Sequence, residues 1–293
     1  MHCDGAPGSR SLRCMTRSRA NTSRASFHLC GVIGLWILSV VSAASLPGPQ
    51  PAAVVGFDSY VRAVEARLAD QHRDPEEFLT PSARDAHAAR QLQDGELIVE
   101  RVTPAVGTDL PGALLHHWRG TAFARGASAA DFELLLRDFN NYPRHFAPQV
   151  VEAGVLAHPA GKLEDHVLAR LRVRQQHLIT VVMDTTYEVS FGRLDELHGW
   201  STAQSKEIRE IQESGTAKER ALPTGEEHGY LWRINTYWSW EERDGGLYLQ
   251  IESVSLTRSI PRGLGWAVDP LVESIPRESL EFTLQSACNA LRR

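Results

Sequence analysis

Residues 229–242 read GYLWRINTYWSWEE, and residues 247–258 read LYLQIESVSLTR. Side chains of a strand alternate between its two faces. Tyr230, Trp232, Ile234, Thr236, Trp238 and Trp240 therefore share one face of the first segment, and Leu231, Arg233, Asn235, Tyr237, Ser239 and Glu241 share the other. Three tryptophans on one face mark it as the inward one. Asp244-Gly245-Gly246 joins the segments as a tight hairpin, its glycines permitting the positive φ such a turn needs. On the returning strand Leu247, Leu249 and Ile251 continue into Ser253, Ser255 and Thr257, so the inner wall grows more polar toward its end. Glu252, on the opposite face, is expected, if it points outward, to meet Arg233 or a neighbouring arginine in a cross-strand surface ion pair of little energetic weight. Each buried tryptophan brings ~150–250 Å² of surface and an indole N–H that needs a partner. Such a face suits either plain core under a helix or a cavity wall with a few polar anchors.

The same alternation predicts strands near 114–124, 149–157, 165–174, 178–192 and 198–211. Within 178–192, Met183, Tyr187, Val189 and Phe191 face away from Asp184, Thr186, Glu188 and Ser190. Asp184 and Glu188 stand ~13 Å apart along an extended strand, too far for the paired carboxylates of a glycosidase, which need ~5–9.5 Å. Their expected use is neutralising Arg170, Arg172 and Arg174 across the outer face. Ser128 is placed to cap a helix carrying Phe132, Leu135, Leu136 and Phe139, which Asn140-Asn141-Tyr142-Pro143 breaks. A last helix from about Pro270 to Leu291 presents Leu271, Val272, Ile275, Leu280, Leu284, Ala287 and Leu291, with Pro276 expected to end a first turn or kink it. The fold class is thus α+β. An antiparallel sheet of about seven strands must cover an apolar concave face, and the final helix is the element long enough to do so. Upstream, Phe57, Tyr60, Val61, Val64 and Leu68 follow helical spacing, and 96–102 alternates like a strand.

Three segments together, FELLLRDFNNYPRHFAP (Phe132–Pro148), RINTYWSW (Arg233–Trp240) and the closing stretch Leu264–Leu291, resemble the START-like superfamily, also called SRPBCC. Within it the chain is similar to exported bacterial members, and more distantly to the polyketide cyclase/dehydrase and coenzyme Q-binding branch. The resemblance covers about residues 111–293 and leaves 57–110 as an N-terminal helical extension. It implies a helix-grip fold, a seven-stranded antiparallel sheet around a long C-terminal helix enclosing an apolar tunnel. Superfamily members include lipid carriers, hormone binders, cyclases and ring-hydroxylating oxygenase domains. Neither Rieske cysteine/histidine pairs nor an iron-binding His/His/carboxylate motif occurs here, which sets the oxygenase branch aside.

The chain of 293 residues carries 31 basic and 36 acidic side chains and is 42% hydrophobic, which excludes disordered, collagenous and multi-span membrane classes. Its longest apolar run, Cys30 to Leu46, follows an arginine-rich stretch and contains Val41-Ser42-Ala43 before Ala44. That is the layout of a signal peptide over 1–43, with translation starting at Met1 or Met15 and a proline-rich linker over 44–56. An uncleaved single-span anchor is the competing reading. Cleavage would leave 26 basic and 35 acidic residues, a charge of −9, which argues against nucleic acid as a partner. It would also remove Cys3, Cys14 and Cys30 and leave Cys288 as a small buried residue without a disulfide. No metal or cofactor is expected. His116 and His117 are adjacent on one strand and point to opposite faces, and His177 and His228 read as solvated loop residues. Neither a Gly-x-Ser-x-Gly elbow nor a phosphate-binding glycine loop is present; Arg262-Gly263-Leu264-Gly265-Trp266 reads as a turn into the last helix, with Trp266 plugging one end of the tunnel.

The reading with most support is an exported binding or carrier protein for an apolar small molecule, a lipid, quinone or polyketide-like compound, held between sheet and C-terminal helix. Its expected contacts are Trp232, Ile234, Thr236, Trp238, Trp240, Leu249, Ile251, Ser253, Met183 and Tyr187. No catalytic residue is assigned. A cyclase/dehydrase-like or hydrolase-like enzyme using the same cavity is one alternative, and a protein-interaction module without ligand is another. Transient membrane contact is compatible with the first reading, while oligomeric state and ligand identity stay open.

Overall fold

The computed structural model describes residues 48–80, 85–102, 110–158, 165–176, 179–259 and 265–292, the last helix between 265 and 273 as backbone only. The expected signal peptide, the two candidate start sites, the leader cysteines, His177, residues 260–264 and the Trp266 side chain lie outside the described part.

Nine strands in chain order, β1 (Ile98–Arg101), β2 (Ala113–Arg125), β3 (Val150–Ala157), β4 (His166–Gln176), β5 (Thr180–Arg193), β6 (His198–Gln212), β7 (Arg220–Ala221), β8 (Arg233–Arg243) and β9 (Gly246–Arg258), form one antiparallel sheet. Its order is β1-β2-β9-β8-β6-β5-β4-β3, with β7 attached to β6. The seven long strands match the expected positions, β1 falls within the 96–102 stretch read as strand-like, and β7 is an addition. The strand β1 comes from the N-terminal extension and pairs with β2. The β8–β9 hairpin turns at Asp244 and Gly245, whose φ of 57° and 73° give the two positive values a twisted two-residue turn requires.

Among the described residues five α-helices surround the sheet, α1 (Pro51–Gln71), α2 (Ala86–Gln93), α3 (Ala129–Arg137), the single turn α4 (Tyr142–His145) and α5 (Gly265–Leu291). Ser128 caps α3 as expected, in a reciprocal capping box with Asp131. The last helix differs from expectation in running unbroken through Pro276 and in starting at Gly265. The first helix starts at Pro51, inside the stretch read as linker, because proline at the first helical position costs no hydrogen bond.

Both faces of the sheet are covered. On the concave face Leu280, Leu284, Ala287 and Cys288 of α5 and Phe132, Leu135 and Leu136 of α3 pack with Ala122, Trp238, Trp240, Leu249 and Ile251. The helix approaches β2 closely at Gly120, where a Cβ would lie 2.5 Å from a Leu284 methyl. On the convex face Phe57, Val61, Val64 and Leu68 of α1 bury Leu115, Tyr237, Val254 and Leu256, each large side chain contributing roughly 1.5–3 kcal/mol. A third cluster, Phe78, Leu79, Leu92, Phe123 and Tyr248, extends that cover toward the hairpin. Long strands gripping a C-terminal helix make this a helix-grip α+β fold.

Candidate ligand-binding site

Register divides the concave face into rows across the strands. The two rows nearest the hairpin are Ala122–Leu249–Trp240–Gly199 and Gly120–Ile251–Trp238–Ser201. They are dry core. Phe132 meets Trp238 and Trp240 edge-on at 5.1 and 5.3 Å, and Trp240, Leu249 and Ile251 have at most 2% exposure. Of the expected contact residues, these four serve packing.

One row further from the hairpin the character changes. Trp118, Ser253, Thr236 and Ala203 are successive neighbours across β2, β9, β8 and β6, and all four are only half-buried in the middle of a covered face. The next row holds His116, Ser255 and Ile234, with Tyr187 opposite Ser205 on the far side. Here Ile234 and Tyr187 again keep solvent access, while Ser205 Oγ accepts the Ile234 N–H at 2.9 Å. Met183 and Thr185 are buried and continue the wall along β5. A bulge at Lys206 then shifts β6 by one residue and turns Glu210 inward. Glu210 accepts the backbone N–H groups of His228, Gly229 and Tyr230, closing that end of the wall.

The structure thus brings Ile234, Thr236, Ser253, Tyr187 and Met183 together on the open part of the concave wall and places Trp238, Trp240, Leu249 and Ile251 in the packed part. Trp232 is on neither. The strand begins only at Arg233, and the indole of Trp232 packs with the convex cluster under α1, with the Arg258 guanidinium 5.7 Å from its ring centroid. Period-2 geometry does not extend past the strand's first residue. Trp118 was not among the expected contacts. It shares the concave face by register with Gly120 and Ala122, a placement readable from alternation in 113–125 once the packed face is known.

Charges keep away from the middle of this wall. Arg170 and Arg172 both bind Asp184 at 2.6 Å on the outer face, as the sequence pattern predicts, and Lys206 pairs with Glu188 there. Burial pushes the Tyr187 phenol up to about 12, against a hydrogen bond with Thr185, so it is a neutral group at ordinary pH. His116 is tied to Thr257 Oγ1 at 3.0 Å, and His228, expected in solvent, has its ring Nδ1 2.8 Å from Glu210. Burial raises the Cys288 thiol to about 11, as for an inert core cysteine. No group of three metal-ligating side chains occurs among the described residues.

Glu252 does meet a neighbouring arginine across the strands, Arg119 of β2, but in a buried setting and not in a surface pair, and Arg233 is not its partner. Glu252 is 1% exposed, because α1 lies over this face, and it accepts from His117 Nε2 and Arg119 Nε at 2.9 Å each and from Arg67 of α1. Arg233 instead bonds Asp58 of α1 at 3.1 Å.

A curved antiparallel wall gripping the C-terminal helix, open along one row, is the decisive feature. The fold is a helix-grip. No protein-family model matches the chain, and a search of curated proteins finds no match. Among solved structures, the chain is similar to a STAR-related lipid transfer protein from Xanthomonas axonopodis, at 18% identity and TM-score 0.41 over 67% of this chain and 99% of that one. It is similar to the Zhui aromatase/cyclase from Streptomyces at 12% identity and TM-score 0.41, over 61% of this chain and 94% of that one. A START superfamily protein from Mycobacterium smegmatis aligns at 14% identity and TM-score 0.37, over 68% and 98%. At this distance the function of the wall has to be argued from its own residues.

Proposed function

We propose that this chain binds and carries an apolar small molecule, a lipid, quinone or polyketide-like compound, between the open part of the concave wall and the N-terminal half of α5, and that it does so as an exported protein. The observation that carries this reading is the Trp118–Ser253–Thr236–Ala203 row, four central neighbours of a covered sheet face that stay half-buried where the rows beside them are sealed. Aromatic and aliphatic surface with a few hydroxyls is the lining such ligands need. Burial of a long chain contributes roughly 25 cal/mol per Å² of apolar area before ordering costs, so affinity needs few polar contacts. Export rests on the basic, apolar and small-residue succession of residues 1–43.

Native mass spectrometry of the chain purified from its own host tests the binding reading. Retention of a hydrophobic molecule of lipid or quinone mass is expected. A chain that emerges empty and takes up no added lipid or quinone contradicts it.

A further inference from the structure

The wall carries one polar group with nothing to bond. Trp118 Nε1 is buried and has no hydrogen-bond partner. A buried N–H left unpaired is costly, and most in native structures are satisfied by protein, water or ligand. The other unpartnered indole, Trp232, is on the convex face under α1 and Arg258. Trp118 sits at the edge of the packed concave cluster and heads the half-buried row, directly beside Ser253. An indole N–H can only donate, so it selects an acceptor.

The row through Trp118 continues onto β1 as Arg101, its register partner and an exposed residue, so an arginine stands on the same face at the sheet-edge side of the indole. Among the described residues, the remaining concave positions of the rows through Trp118 and Ile234 hold no lysine, arginine, aspartate or glutamate. Glu210 and Glu242 lie at the two ends of the wall and are occupied by backbone N–H groups, Glu242 by that of Ala129, so neither serves as the acceptor for the indole.

We infer that Trp118 anchors the ligand by donating its indole N–H to a carbonyl or ester oxygen. This rests on the binding reading above. Ser253 and Thr236, the next two residues along the row, supply hydroxyls within the same band and orient the polar end of the ligand there, leaving the apolar chain to lie along Ile234, Tyr187 and Met183.

The test uses the full chain with two probes of matched chain length, methyl laurate and dodecane. Binding is followed by titration and by the indole N–H peaks of the proton–nitrogen spectrum. Methyl laurate is expected to move the Trp118 indole peak and to lose about fivefold in affinity in Trp118→Phe, the loss of one ordinary hydrogen bond, while dodecane binds both forms equally. A Trp118 peak that stays in place while ester and alkane bind alike overturns the anchor and leaves the binding reading standing. Failure of both probes to bind overturns the binding reading itself and the anchor with it. If Trp118→Phe does not fold, the peak shift in the unaltered chain decides.

Discussion

His117 and Glu252 meet at 2.9 Å beneath α1, at 2% and 1% exposure, and join the N-terminal helix to the sheet. The Tyr60 hydroxyl of α1 lies 2.7 Å from the other imidazole nitrogen, so tyrosine donates to the ring and the ring donates to the carboxylate. Arg67 of α1 and Arg119 of β2 complete the cluster. Burial alone would raise the Glu252 carboxyl, but the His117 hydrogen bond and the two guanidiniums outweigh it and hold it at about 2 instead of 4.5. The folded chain is therefore the weaker proton binder at this site. Its contribution is complete above pH 4.5 and is lost as pH falls toward 2, an effect on the order of 3 kcal/mol. Glu252→Gln should cost about 3 kcal/mol at neutral pH, since it strands two arginines, and should flatten the stability curve between pH 4.5 and 2. Urea titrations across that range measure both; an unchanged acid limb in the variant would show that the cluster is not what holds α1.

His72 supplies a second, separate acid-sensitive contact. Its ring stacks on Trp200 at 5.9 Å, packs on Phe78 and bonds Ser239 Oγ at 2.7 Å. Burial, with some help from the Arg67 charge and against Glu252, lowers it from 6.5 to about 4. Between those values the unfolded chain holds a proton that the folded chain refuses, so stability declines as pH falls from 6.5 to 4, by at most ~1.4 kcal/mol per pH unit. His72→Gln should remove that slope while leaving the lower limb due to Glu252. Retention of the slope in the variant would assign it to another group.

Trp238 was expected from sequence to line the ligand site. Its place against Phe132 in sealed core changes the expectation for Trp238→Ala. The variant should lose about 3–5 kcal/mol of stability, the usual cost of emptying a large core position. Ligand affinity in the fraction that folds should hardly change. Chemical denaturation alongside binding measured well below the melting midpoint separates the two, and a stable variant with lost binding would return Trp238 to the site.

Ala203, by contrast, sits in the half-buried row between Thr236 and Val189. Ala203→Trp should cover the half-buried row and lower affinity for an apolar probe at least tenfold, with a melting temperature within a few degrees of the parent, because Ala203 is half-buried and lies outside the close-packed rows. Overpacking, seen as a large drop in melting temperature, would mean that the row is not open.

What sequence could convey follows the reach of local patterns. Alternation and the Asp244-Gly245 turn place β8 and β9 to within a few residues, since register in a half-covered sheet is strongly specified. The Phe57–Leu68 stripe predicts a helix but not the surface it covers. For that reason Tyr237 was placed on the outer face, and Glu252 was expected in an exposed pair with Arg233 or a neighbouring arginine and not in a buried cluster with His117, Arg119 and Arg67. Trp232 was misplaced because the chain rotates before entering β8, and the bulge at Lys206 that turns Glu210 inward has no local signature. The orphaned indole of Trp118 is a property of its neighbourhood in space, and alternation can assign only its face.

The central claim is that an apolar molecule lies between the open row and α5. Isotope-filtered nuclear Overhauser measurements on the full chain with bound methyl laurate test it most directly. Contacts from the ligand chain to the Ile234 methyls, the Met183 methyl and the Ala203 methyl are what the account predicts. Contacts confined to convex-face residues such as Val254 and Leu256, or to the exposed outer surface, would contradict it.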